Sequence, residues 1–176
     1  EIMPSLVGSE MCIRDSPKIK LKIDHTYRVA ALCERIAKAA GMCVYDVELA
    51  WLSGMLHDVG RFEQIKRYNT FSDADSVDHA KFGADLLFKD GLISTFLNGM
   101  VKCTGYKPGA LENRYSSDGV FLYDRLNKSD MEMLELAIRC HNMYRIPQGL
   151  NRREQAFCNV LRDADKVDIF LSLIHI

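Results

Sequence analysis

Apolar residues recur at helical spacing through most of the chain, and no stretch alternates apolar with polar at the period of two that a half-buried strand requires. Leu21, Val29, Leu32, Ile36 and Ala40 line one face of a helix over Leu21–Ala40, which Gly41 stops. Asp46 is placed to cap a second helix from Val47 to about Asp58. Between Arg61 and Ser76 the pattern breaks after Tyr68, which predicts a short helix and then a loop. His79, Phe82, Gly83, Leu86 and Leu87 fall at i, i+3, i+4, i+7 and i+8 and predict a helix over Val77–Lys89. Gly91 breaks it, and Leu92–Lys102 predicts another helix despite Gly99. Cys103–Asn127, rich in Gly, Ser and Pro, is an expected excursion with a short helix around Phe121–Leu126. Ser129-Asp130 opens a helix through Met131, Leu134, Ala137, Ile138 and His141, closed by Pro147 and Gly149. The last helix, about Arg152–Phe170, carries Phe157, Leu161 and Asp165 at four-residue intervals. The expected fold is an all-α single-domain bundle of about six to eight helices.

What stands out is the polar residues that share those apolar faces. His25, His57, His79 and His141 all lie on the core side of a predicted helix, joined by Asp58 and Asp165. Any one of them reads as a core residue that needs its own buried hydrogen-bond partner. Together they read as a metal site, because imidazole nitrogen and carboxylate oxygen ligate divalent metals and a cation offsets the cost of burying an ionised aspartate. His57-Asp58 follows the largely apolar run Val47–Leu56. Adjacent side chains on a helix diverge by about 100°, so both reach one ion only near a helix end, and Gly60 is the residue that reads as turning the chain out.

Composition narrows the rest. The 176 residues, 48% hydrophobic and 27% charged, suffice for one soluble domain with a real core. A formal net charge of −1 gives no general attraction to nucleic acid or anionic membrane. No apolar run approaches the roughly 20 residues that span a bilayer. Cys12, Cys33, Cys43, Cys103, Cys140 and Cys158 form no CxxC pair, which fits reduced thiols in a cytoplasm.

Both ends look foreign. A DNA string encoding Met11-Cys12-Ile13-Arg14-Asp15-Ser16, read as its reverse complement and extended by a few bases, translates as Leu-Ser-Leu-Ile-His-Ile, the run from Leu171 to Ile176. The two resemble a transposon-end sequencing adapter read in opposite directions. Residues 1–16 and 171–176 are therefore expected to be adapter-derived read-through, with 17–170 the native domain and the natural gene cut at both ends. Cys12 and His175 drop out of the candidate ligands on that reading.

With His25 in Asp-His-Thr-Tyr-Arg-Val-Ala, the doublet in Leu-His-Asp-Val-Gly-Arg-Phe, and Asp165 in Arg-Asp-Ala-Asp-Lys-Val-Asp, the chain resembles the HD superfamily of metal-dependent phosphohydrolases over nearly all of Lys20–Phe170. The resemblance implies an HD-type helical bundle in which His25, His57, Asp58 and Asp165 bind one metal, Asp165 being the aspartate just before the lysine. Asp163 and Asp168 are candidates to support the site. His79 and His141 extend the set as in members that hold two metals, where the doublet aspartate bridges. One or two divalent ions are expected, from among Mn, Fe, Ni, Co, Zn and Mg. No Gly-Tyr-Pro tripeptide occurs and Cys140 precedes His141, which disfavours cyclic-dinucleotide hydrolysis; Cys140 reads as a small buried hydrophobe. The implied activity is hydrolysis of a nucleotide or other small phosphoester by a metal-activated water. Asp58 is then catalytic as well as ligating, and Lys166 and Arg61 are the candidate phosphate partners. Two other readings share the ligand set: an HD-fold di-iron oxygenase and a non-catalytic metal-binding or sensing domain.

Overall fold

The computed structural model describes residues 16–102 and 126–174, and helices are the only regular structure among them. Glu1–Asp15, most of the expected 103–127 excursion, the expected helix at 121–126 except its last residue, and 175–176 lie outside the described residues. Helix α1 is Pro17–Ala39, opened by Pro17 in its first turn, where the missing N–H costs nothing. Helix α2 is Val44–Leu56 and α3 is Val59–Tyr68, ended by Asn69 in the left-handed conformation (φ 54°). Helix α4, His79–Ala84, is capped by the Asp78 carboxylate, which accepts from the Ala80 and Lys81 N–H groups, and it runs into a π-helical turn at Asp85–Lys89. Helix α5 is Leu92–Lys102, α6 is Lys128–Cys140 and α7 is Arg152–Ile174, so α7 runs on past the expected native boundary, with Leu171 exposed.

Three local expectations are corrected. Asp46 does not cap α2, which starts earlier, at Val44; it sits in the first turn and pairs with Arg153 Nη2 at 2.7 Å, a stronger use of its charge. Helix α6 begins one residue before Ser129, because Asn127 and Asp130 form a reciprocal capping box. The break after the doublet is not made by Gly60. The chain leaves α2 at His57-Asp58, and Gly60 lies inside the first turn of α3.

Helix α2 packs against α1, α6 and α7, while α4 packs against α3 and α6. Between them Val29, Leu49, Leu52, Leu56, Leu87, Leu134, Ile138, Phe157 and Leu161 are almost wholly buried in one core. At one edge the fully buried Asp130 is held by Tyr45 Oη at 2.5 Å and by Arg153 Nη1 at 2.8 Å, and Arg153 also holds Asp46, which ties α2, α6 and α7. The polar residues that share the core faces all emerge at the other part of this packing, where α1, α2, α4, α6 and α7 meet.

Candidate metal centre

Each histidine of the cluster has its ring fixed by what its Nδ1 touches. His57 Nδ1 lies 2.6 Å from the Gly54 carbonyl and His141 Nδ1 lies 2.7 Å from the Ile138 carbonyl, each three residues back along the chain. A carbonyl only accepts, so both Nδ1 atoms carry the hydrogen. His25 Nδ1 donates to Asp168 Oδ2 at 2.7 Å and His79 Nδ1 donates to Asp73 Oδ2 at 2.6 Å. All four rings therefore turn Nε2 inward, and these atoms meet in pairs: His25 with His57 at 3.4 Å, and His79 with His141 at 3.1 Å. Neutral rings of this tautomer face lone pair to lone pair. That arrangement calls for a cation between them.

Asp58 divides the pairs. Its Oδ2 lies 3.7 Å from His25 Nε2 and 3.6 Å from His57 Nε2, while its Oδ1 lies 3.5 Å from His79 Nε2 and 4.0 Å from His141 Nε2. Asp165, from α7, joins the first pair, its Oδ1 at 3.0 Å from His25 Nε2 and 3.7 Å from His57 Nε2. Metal–ligand bonds near 2.1 Å imply neighbouring ligand atoms about 3.0–3.4 Å apart, and the closer of these separations fall in that range. His25, His57 and Asp58 form one grouping able to hold an ion, and Asp58, His79 and His141 a second. A third grouping is Asp73, Asp78 and His79, where the His79 Nδ1 hydrogen is already given to Asp73.

The charges agree. Burial lowers the proton affinity of His57, His79 and His141 below the ordinary imidazole range, which favours the neutral form that can ligate a metal. Burial also opposes the charge on Asp58, but the surrounding electrostatics, in which Lys22 is the permanent positive charge, outweigh that and hold its carboxyl well below the usual range. Asp165 is likewise held low, the His25 hydrogen bond overcoming burial. For His25, burial is outweighed by Asp165 and Asp168, and its affinity for a proton rises. Two carboxylates held in the ionised range and four inward nitrogens make an electron-rich, largely buried cluster that fits divalent cations.

A family model of the HD domain matches residues 23–172. The chain belongs to the HD domain family. No curated protein and no solved structure matches it. In this HD domain the doublet occupies the joint between two helices: His57 keeps helical angles, and Asp58 (φ −100°, ψ 14°) does not. That change of direction lets adjacent side chains share one centre, where an unbroken helix would part them.

Of the other residues singled out in the sequence, Arg61 lies beside Asp58 and Lys166 is exposed. Arg61 Nη1 is anchored by Asp73 Oδ1 at 2.6 Å, Gln64 Oε1 at 2.9 Å and the Phe71 carbonyl, leaving Nε 3.8 Å from Asp58 Oδ1, buried and without a hydrogen bond. Lys166 is exposed, and among the described residues no ion pair links it to the cluster. Asp163 is exposed beside Arg162, whereas Asp168 is buried and supports His25 while Arg28 Nε holds its other oxygen at 2.6 Å. Cys140 is buried.

Sequence reasoning passed over Lys22, whose Nζ lies 2.8 Å from Asp58 Oδ2, and Asp73, which orients His79. Lys22 had a signal, since it is three residues before His25 and so on the same helix face. Asp73 had none, lying in a loop.

Two outcomes follow. Asp168→Ala frees the His25 ring and removes a carboxylate that makes Nε2 a better ligand, so metal affinity should fall about 10–100-fold in a chelator competition; an unchanged affinity would show that the ring is held without it. The metal-stripped protein should also be acid-sensitive. His57, His79 and His141 have folded affinities for protons below the ordinary 6.5, so as pH falls from there the unfolded chain takes up protons that the folded one does not. Stability is full above that value and declines below it, by up to about 1.4 kcal/mol per pH unit for each proton. His25 has the opposite sign, its contribution fading as pH rises through its raised value. Denaturation midpoints that stay flat from about pH 6.5 to 5 would contradict three neutral buried rings.

Proposed function

We propose that this HD domain is a metal-dependent phosphoester hydrolase acting on a nucleotide or another small phosphorylated molecule. The observation that carries this reading is the sharing of Asp58 between two histidine pairs, one oxygen to each, with the cations Lys22 and Arg61 beside it. His25, His57, Asp58 and Asp165 would hold one ion, and Asp58, His79 and His141 a second. Divalent ions held there supply neutralisation of phosphoryl charge and a water of lowered pKa. Arg61 is fixed through Nη1, so its unpaired Nε–H is preorganised to donate to a phosphoryl oxygen without moving. A groove of about 580 Å³ lined by Ile23, Tyr27, Phe62 and Phe96 has none of the six cluster residues in its wall, and no chemistry is assigned to it.

No helix of the described residues is long and apolar enough to cross a membrane. The free thiols of Cys33, Cys43, Cys140 and Cys158 support a reducing, cytoplasmic setting. The test is purified protein screened with manganese, magnesium, nickel, cobalt, zinc and iron against nucleotides and small phosphoesters. Metal-dependent phosphate release is the expected result. Oxygen consumption with iron, without phosphate release, would favour a di-iron oxygenase, which the same shared carboxylate suits; neither activity would leave a binding module.

A further inference from the structure

The cluster is not evenly hidden. The side chains of His57, His141 and Asp58 are 0%, 1% and 3% exposed, His25 is 8%, Asp165 is 14% and Lys22 is 23%. The gradient puts the opening to solvent where α1 faces α7, and Lys22 stands at that opening. Its ammonium donates to Asp58 Oδ2 at 2.8 Å, the oxygen that also faces His25 and His57. His25, His57 and Asp58 would hold a divalent ion there, and the Asp58 charge that Lys22 now neutralises would then be matched by that ion. The ammonium is then left at the mouth of the site without its counter-charge. The other described cations nearby are engaged elsewhere or unlinked: Arg28, also between α1 and α7, is held by both oxygens of Asp168, Arg61 is anchored from the Asp73 side, and Lys166, although exposed on α7, has no described link to the cluster.

We propose that Lys22 captures the anionic group of the substrate, its Nζ passing from Asp58 Oδ2 to a phosphoryl oxygen once metal fills the His25 side of the site. The assignment rests on the phosphoester reading above. No covalent bond changes; one ion pair is exchanged for another. Lysine suits the task because a compact charge on a flexible stem serves two partners in turn, whereas a planar guanidinium is built for one fixed geometry. The residue also explains how Asp58 stays ionised and paired before metal arrives.

The experiment measures calorimetric binding of inorganic phosphate to manganese-loaded wild type, Lys22→Met and Lys22→Arg, with metal content determined on the same samples. Wild type should bind phosphate. Lys22→Met should hold as much manganese but bind phosphate about tenfold or more weakly, the loss expected for a charged hydrogen bond, and Lys22→Arg should recover part of it. If Lys22→Met does not fold, Lys22→Gln, which keeps a donor toward Asp58 without the charge, is read in the same way. Equal phosphate affinity in wild type and the neutral variant overturns the capture role and leaves the phosphoester reading standing. Loss of manganese from the neutral variant also overturns it, since Lys22 would then be a support of the ligand set. Loaded wild type that binds no phosphate defeats both this inference and the phosphoester reading.

Discussion

Asp58→Ala is expected to lose metal from both halves of the candidate site, and with it the proposed turnover. The carboxylate gives one oxygen to the His25 and His57 side and the other to the His79 and His141 side. Without it each half keeps histidine nitrogens that face each other with no shared anion between them, and the electron-rich centre loses the charge that draws a divalent ion. Activity on whatever phosphoester the screen finds should fall on the order of 10³-fold or more. Metal content should fall with it, and Asp58→Asn, which keeps the shape without the charge, should behave alike. Added metal should raise the melting temperature of wild type by mass action, by about 2.7 kcal/mol of stability at a hundredfold excess over Kd, and leave the variant unmoved. His79→Ala/His141→Ala is the contrast, since it removes one half only and should retain one ion per chain. Full metal content and full activity in Asp58→Ala would mean that the cluster is not the active centre.

Gly60→Ala unfolds the same site from behind. A Cβ at Gly60 would press into the His79 carbonyl oxygen and lie 2.8 Å from Gly83 N and 3.0 Å from Gly83 Cα. These are backbone atoms, which no rotamer change removes, so α3 and α4 must separate. The expected cost is about 3 kcal/mol or more. Metal affinity should drop as well, because the displaced backbone is that of the candidate ligand His79 and of the turn that carries Asp58. Gly41→Ala is the control. Its φ of 72° strains an alanine, but nothing lies within 4 Å of the new methyl; it should cost about 1 kcal/mol and leave metal binding alone. Denaturant titration and metal analysis of the two variants decide this, and a Gly60→Ala protein as stable as wild type would show that the α3–α4 contact has room to relax.

The helices and their inward faces were legible in residue order because a period of 3.6 is a local property of the chain. Val29, Leu32 and Ile36 place His25 on the α1 core side, and Leu134, Ala137 and Ile138 do the same for His141, with no knowledge of what lies opposite. The rare pairing of an imidazole and a carboxylate at the end of an apolar run marked the centre. Other features were illegible for an equally physical reason. Gly60 looks like a helix stop because glycine usually acts through its own backbone freedom, yet here it acts through the His79 and Gly83 backbones that press against it. Asp46 looks like a cap until Arg153, 107 residues away, claims it. Lys166 adjoins the candidate ligand Asp165 in sequence but is exposed, while Lys22, on a different helix from Asp58, reaches its carboxylate. Which face is buried follows from neighbours along the chain; which atom meets which across the buried faces follows from the packing of α1, α2, α4, α6 and α7, where a shift of a few ångströms separates a ligand from a bystander.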